Sequence, residues 1–177
     1  MAYTFDEPRA GLLQIGVVDD GVTMANGTSA IPTPPNVLGS IVRAFDPTYG
    51  EGEFILLAGV ASTAVGSLVI YDGTTYATTL VPVTANQARP VAVAMVANTS
   101  ASKFSWYQIS GTAVVVKTAT SISAKVAVGV TSIGKVSASA SGKEILGARS
   151  ANAATVASAT TTLTIVINRP HMQGRIT

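Results

Sequence analysis

No cysteine occurs among the 177 residues, so no disulfide framework, thiolate nucleophile or cysteine-ligated metal can form. Histidine is nearly absent as well. The sole copy, His171, excludes a multi-histidine zinc site and leaves any histidine-based triad dependent on one residue near the end of the chain. Charge is scarce at 11% of residues, and eleven Lys+Arg against nine Asp+Glu give a net charge of +2. Despite a pI of about 9.0, that balance is too small for a broad phosphate-binding field, and no direct contact with nucleic acid is expected. Long apolar runs are missing too. The most obvious, FILLAGVA at Phe54–Ala61, falls far short of the roughly 18 residues of a membrane-spanning helix, so no membrane partner is expected. The opening MAYTFDEPRAG carries Asp6, Glu7 and Pro8 where a secretory signal needs basic and then apolar residues, which argues against export.

What is present is small and apolar. Hydrophobic residues make up 47% of the chain and the mean hydropathy is +0.44, with alanine, valine, threonine, serine and glycine prominent. Such a chain folds rather than staying disordered, and its length suits a single domain carrying an arm. Its excess apolar surface is most easily hidden against other subunits, which predicts a homo-oligomer.

Residues 1–40 differ from the rest and read as an extended N-terminal arm. A short apolar stretch at Leu12–Val18, the arm's one candidate strand, precedes turn-forming residues and the cluster Pro32, Pro34 and Pro35. Most of this arm is expected to lie across something else, either its own body or a neighbour. From Ile41 to Thr177 the chain reads as a body of short β segments separated by Gly, Asp, Asn and Ser. Candidate strands are Ile41–Ala44, Phe54–Val60, Ser67–Tyr71, Val91–Ala97, Phe104–Ile109, Ala113–Lys117, Lys125–Val130, Lys135–Ser139, Glu144–Ala148 and Leu163–Asn168. Leu163, Ile165 and Ile167 alternate with Thr164, Val166 and Asn168, and Ile122, Ala124, Val126 and Val128 alternate around Lys125. LVIY is continuously apolar and suits a strand covered on both faces, while Asp72-Gly73 and Ser110-Gly111 suit tight hairpins. ARSANAATVASA at Ala148–Ala159 is balanced between helix and loop. Lys117, Lys125, Lys135 and Lys143 read as solvent-facing strand positions or ends. The pattern predicts an all-β fold, a sandwich or a barrel.

Chemistry-bearing motifs are weak. Gly129-Val130-Thr131-Ser132-Ile133-Gly134-Lys135-Val136 resembles a phosphate-binding loop, but Val136 replaces the required Ser or Thr and no helix start follows, so strand-turn-strand is expected. Glu51 and Glu53 could share a face as paired carboxylates, yet PTYGEG reads better as a turn with solvated acids, and no dense acidic loop exists for calcium. His171, with Arg169 and Arg175, reads as a polar contact in a tail after the last strand; no G-x-S-x-G elbow accompanies it. Phe104 and Trp106 fall on one strand face and Tyr107 on the other, which favours packing over a continuous aromatic platform. Asn26-Gly27-Thr28 and Asn98-Thr99-Ser100 read as turns. Neither metal nor cofactor is expected, nor an enzyme.

Six stretches together, LGSIVRAFDPTYGEGEFILLAGVAST (Leu38–Thr63), VGSLVIYDG (Val65–Gly73), PVAVAMVAN (Pro90–Asn98), FSWYQISGTAVV (Phe104–Val115), SASGKEILGA (Ser139–Ala148) and VINRPHMQGRIT (Val166–Thr177), resemble capsid decoration, or cement, proteins of tailed bacteriophages. The resemblance covers residues 38–177 as a pattern of strand and turn residues. It implies a jelly-roll-like sandwich or barrel-like body on the outer surface of the virion's icosahedral head that bridges major capsid protein subunits, present as a dimer or trimer. The surfaces expected to serve are the arm (Leu12, Leu13, Ile15, Val17, Pro32, Pro34, Pro35), the turn near Asp46, Tyr49 and Glu51, and the tail with Arg169, His171 and Arg175. A receptor- or glycan-binding spike subunit using Tyr71, Trp106 and Tyr107 is the alternative, and a small hydrolase using Glu51 and Glu53 ranks third.

Overall fold

The computed structural model describes residues 2–7, 11–24 and 31–174. Every named element among them is a strand. Three short strands lie in the arm: β1 (Thr4–Phe5), β2 (Val22–Met24) and β3 (Ile31–Thr33). The body begins with β4 (Ile41–Asp46), β5 (Gly50–Ala58), β6 (Leu68–Tyr71), β7 (Thr78–Leu80) and β8 (Val91–Ala94). It continues through β9 (Phe104–Val116), β10 (Ala127–Ser132), β11 (Lys135–Ala138), β12 (Glu144–Ser150) and β13 (Thr162–Met172). The strands of the main sheet run in the order β1-β4-β5-β9-β13-β12-β10-β11, and β8, β6 and β7 branch from β9. Every ladder between these named strands is antiparallel, as the many short connections permit, while Lys117, just past β9, makes an isolated parallel bridge to Val136 of β11. The fold is therefore all-β and sandwich-like. Of the two expected closures, a barrel is not formed: the Gly134 amide and carbonyl bond to Val81 and Leu68, tying the β10–β11 turn to the branch, but no ladder closes the ring among the described residues.

The branch is a layer buried on both faces. Leu68 and Ile70 of β6, with Val91 and Val93 of β8, face Ala113, Val115, Leu163, Ile165 and Ile167 across the largest core. From the opposite side of that layer, Val69, Ala92 and Ala94 pack on Ile55, Leu57, Tyr107 and Ile109. Two-sided burial explains why LVIY and VAVA have no polar alternation, whereas β13 keeps it: Leu163, Ile165 and Ile167 are buried, Thr164 and Val166 half-buried and Asn168 exposed.

Strand β9 is the hinge of this topology. Its first half pairs with β5 and β8 and its second half with β13. Ser110-Gly111 is thus a point inside one thirteen-residue strand and not the tight hairpin expected from its composition. Ile109 is left without an opposite number, because Glu53 pairs with Ser110 while Phe54 pairs with Gln108. This bulge bends the strand so that it can serve both layers. Gly111 sits there at φ +99, and a Cβ would strike the Glu51 carbonyl, so glycine is required by the bulge instead of by a turn. The Gln108 amide nitrogen bonds to the Ser110 and Thr112 carbonyls at 3.1 and 3.0 Å, and the Tyr3 hydroxyl donates to Thr112 at 3.0 Å.

Other local expectations also change. Asp72-Gly73 opens a six-residue connection between β6 and β7, in which the Asp72 carboxylate accepts from the Thr74 and Thr75 amides, both at 2.8 Å. Residues 151–161 form a connecting loop, so the alanine-rich segment resolves as loop and extended chain without a helix. Around Lys125 the strand starts only at Ala127, and Lys125 itself takes a left-handed backbone. His171 lies within β13, opposite Leu146, and not in a tail. Gly129–Lys135 is the expected strand-turn-strand. Asn98 is buried in a bridge to Thr63; Asn26-Gly27-Thr28 lies outside the described residues.

Candidate interaction surface

Alternation along β5 divides its apolar side chains between two cores. Ile55 and Leu57 belong to the branch side, while Phe54 and Leu56 face away from it and need another cover. The arm supplies that cover. Leu13 is buried with Phe54, Leu56, Met95 and Trp106, and Tyr3, Phe5, Leu12 and Ile15 pack around them. Tyr3 meets Phe54 edge-on with ring centroids 4.8 Å apart, and Phe5 meets Trp106 in the same manner at 6.1 Å. The indole nitrogen of Trp106 donates to the Leu13 carbonyl at 2.6 Å. Further along, Asp19 and Phe104 exchange backbone hydrogen bonds of 2.9 and 2.8 Å, and Lys103 pairs with Asp20 at 2.9 Å.

Leu12–Val18 is therefore an irregular segment fastened over the sheet, with a turn at Ile15-Gly16, and not a strand. Leu13 is spent on the chain's own core, Leu12 and Ile15 are half-buried, and of this group only Val17 is well exposed. Pro34 and Pro35 are half-buried; Pro32 enters through its backbone, opposite Thr23 in the β2–β3 pair. Arg175 lies outside the described residues.

The turn at Asp46 is built around its carboxylate. This side chain is buried and accepts from the Ala2 amide at 2.6 Å, the Thr48 amide at 2.8 Å and the Tyr49 amide at 3.1 Å. Burial pushes its pKa up, but the three amides outweigh that and hold it below the ordinary carboxylate value. Asp46 is thus a structural staple between the arm and the β4–β5 turn, with Tyr49 half-buried beside it. Glu51 is exposed at the start of β5 and stands opposite Phe45.

Three side chains that composition alone did not single out define the exposed face of β4. Ile41, Arg43 and Phe45 project together, since Val42 and Ala44 take the alternate side. Ile41 keeps 47% of its surface exposed and Phe45 49%. Arg43 is opposite Glu53, 3.5 Å away, and Arg169 reaches the same carboxylate at 3.2 Å from across β9. Arg169 can do so because three residues of β13, Asn168, Arg169 and Pro170, oppose the single Gly147 of β12, and the resulting bulge places Arg169 at φ +42. Beside this row lies a groove of about 850 Å³ lined by Asp6, Glu7, Leu12, Val37, Ile41 and Arg43, with Val37 78% exposed. The signal for this face was present in IVRAFD, whose period of two separates Ile41, Arg43 and Phe45 from their neighbours.

Of the surfaces expected from sequence, the structure joins Glu51 and Arg169 to this face, through Phe45 and Glu53. It buries Leu13 and Asp46, and leaves exposed His171 on β13, where it bridges to Pro90. The aromatic trio is broken up. Trp106 and Tyr107 are fully buried in different cores, burial pushing the Tyr107 phenol up, so of Tyr71, Trp106 and Tyr107 only half-buried Tyr71 offers surface for stacking. Glu53 is engaged by two guanidinium groups, which suits an ion-pair ladder better than acid–base exchange. No group of three or more potential metal-ligating side chains occurs among the described residues, and no helix there is long and apolar enough to cross a membrane. No family model, no curated protein and no solved structure matches the chain.

Proposed function

We propose that this chain is a capsid decoration protein that binds the outer surface of a tailed-phage head and bridges major capsid protein subunits. The sequence resemblance suggests the class, and the observation that carries the reading is the exposed face of β4. Ile41 and Phe45 stand on either side of Arg43, next to the groove with exposed Val37, and the Glu53 ladder lies alongside. Apolar anchors bordered by paired charges are the composition of a protein-docking surface: the anchors supply affinity on desolvation and the charges fix orientation.

Function then follows from linkage. A protein that binds the assembled shell but not separated subunits stabilises the shell by mass action, and an oligomer engaging several capsomers multiplies the effect. The arm fits such a role as a brace for the docking face, because its β1 strand pairs with β4 at Ala44 and Phe45. Removing the arm would uncover Phe54, Leu56 and Trp106, so its deletion is expected to destabilise the body as well as weaken attachment.

Phe45→Thr, which keeps a strand-favouring side chain and adds no charge opposite Glu51, is the discriminating change. An exposed position tolerates substitution within about 0.5 kcal/mol of folding stability, whereas losing a docking anchor costs about 2 kcal/mol, or roughly thirtyfold in affinity. Co-sedimentation of the folded variant with expanded phage capsids should show that loss. Undiminished binding would remove the β4 face from the interface.

A further inference from the structure

A pocket of about 390 Å³ opens between the end of β9, the β10–β11 turn and the loop before β13. Lys117, Lys135, Ser132, Ser158, Thr160 and Thr161 line it, and no carboxylate is among its lining residues. Lys117 was expected at a solvent-facing strand end, yet it is only 4% exposed. Its ammonium donates to the Thr118 carbonyl at 2.8 Å and the Thr120 carbonyl at 2.6 Å, which leaves one of its three N–H groups. Neither Lys117 nor Lys135 belongs to an ion pair among the described residues.

A buried cation is ordinarily matched by an anion, since carbonyl dipoles satisfy hydrogen bonds without cancelling charge. Lys135, an exposed lining residue, adds a second cation to the same pocket, and Ser132, Ser158, Thr160 and Thr161 add hydroxyl donors. We propose that this pocket binds a tetrahedral oxyanion, phosphate or sulfate, held between Lys117, Lys135 and the surrounding hydroxyls. Lys135 ends the Gly129–Lys135 stretch, whose spacing resembles a phosphate loop. The recognition here is different in kind: side chains supply the positive charge, and the stretch itself is strand-turn-strand with no helix N-terminus behind it. The volume exceeds that of one oxyanion and leaves room for a small group esterified to it.

The full-length protein would be titrated with inorganic phosphate, inorganic sulfate and glucose 6-phosphate, each against sodium chloride at matched ionic strength, while backbone amide shifts are followed by NMR. Saturable shifts confined to Ser132, Lys135, Thr160, Thr161 and their neighbours are expected. Lys135→Met, at an exposed position, should leave the remaining spectrum intact and weaken binding about tenfold or more. Tighter binding of the ester would identify an esterified phosphate as the occupant, and tighter binding of the inorganic ions would identify the free oxyanion; either supports the site. Shifts matching those in chloride, shifts that never saturate, or unchanged affinity in Lys135→Met would overturn it.

Discussion

Leu13→Ala tests how the arm is held. Leu13 is 9% exposed and packs on Phe54, Leu56 and Trp106. Truncating a buried leucine costs about 2–5 kcal/mol, and the lower half of that range applies here, because neighbouring Leu12 and Ile15 are only half-buried and can settle into the gap. The Leu13 carbonyl still accepts from the Trp106 indole, so the change isolates the apolar contribution. A loss of about 2–3 kcal/mol moves the balance between docked and released arm by roughly thirtyfold to over a hundredfold. Trp106 is the chain's single tryptophan and reports directly on that balance. In the unaltered protein its emission should be blue-shifted and poorly quenched by acrylamide until global unfolding. In Leu13→Ala, emission should move to the red and quenching rise at urea concentrations where far-UV circular dichroism is still native, the sign of local release. The account of arm docking is refuted if emission and quenching match the unaltered protein and the stability difference stays below about 0.5 kcal/mol.

Gly111→Ala should destabilise the protein by about 2 kcal/mol or more, measured by urea unfolding, because the new Cβ meets the Glu51 carbonyl at a left-handed backbone position; a loss under about 0.5 kcal/mol would show that the bulge relaxes freely. Asp46 gives a pH test of known sign. Its folded pKa lies below the ordinary value of 3.8, so its contribution is fully present above about pH 4 and is lost as pH falls through the depressed folded pKa. The stability gap between the unaltered protein and Asp46→Asn should therefore narrow from pH 6 towards pH 2, and a gap independent of pH would contradict the three-amide account.

Fold class was legible because it rests on local pattern. The alternation of Leu163, Ile165 and Ile167 and the unbroken LVIY each report which strand faces are buried, and the structure places them accordingly. Ser110-Gly111 misled because the residue types that make a turn also make a bulge, and only the partner strands distinguish the two. The arm's course was hidden for another reason: the Leu13–Trp106 hydrogen bond joins residues 93 positions apart, and nothing local to either announces the other. Lys117 is the same case, a lysine typical of a strand end that tertiary contacts enclose. Ile41, Arg43 and Phe45 were readable in principle, since their period of two is visible, but exposure on an outer strand emerges only once β4 is placed between β1 and β5.

The central claim is that the chain binds an assembled shell, and the direct measurement is co-sedimentation with expanded phage capsids prepared without it, quantified as bound copies per capsid subunit alongside the capsid melting temperature. The account predicts saturation at a fixed ratio and a raised melting temperature, as binding to the assembled state alone requires. Absence of binding, or binding that never saturates and leaves the melting temperature unchanged, would contradict it.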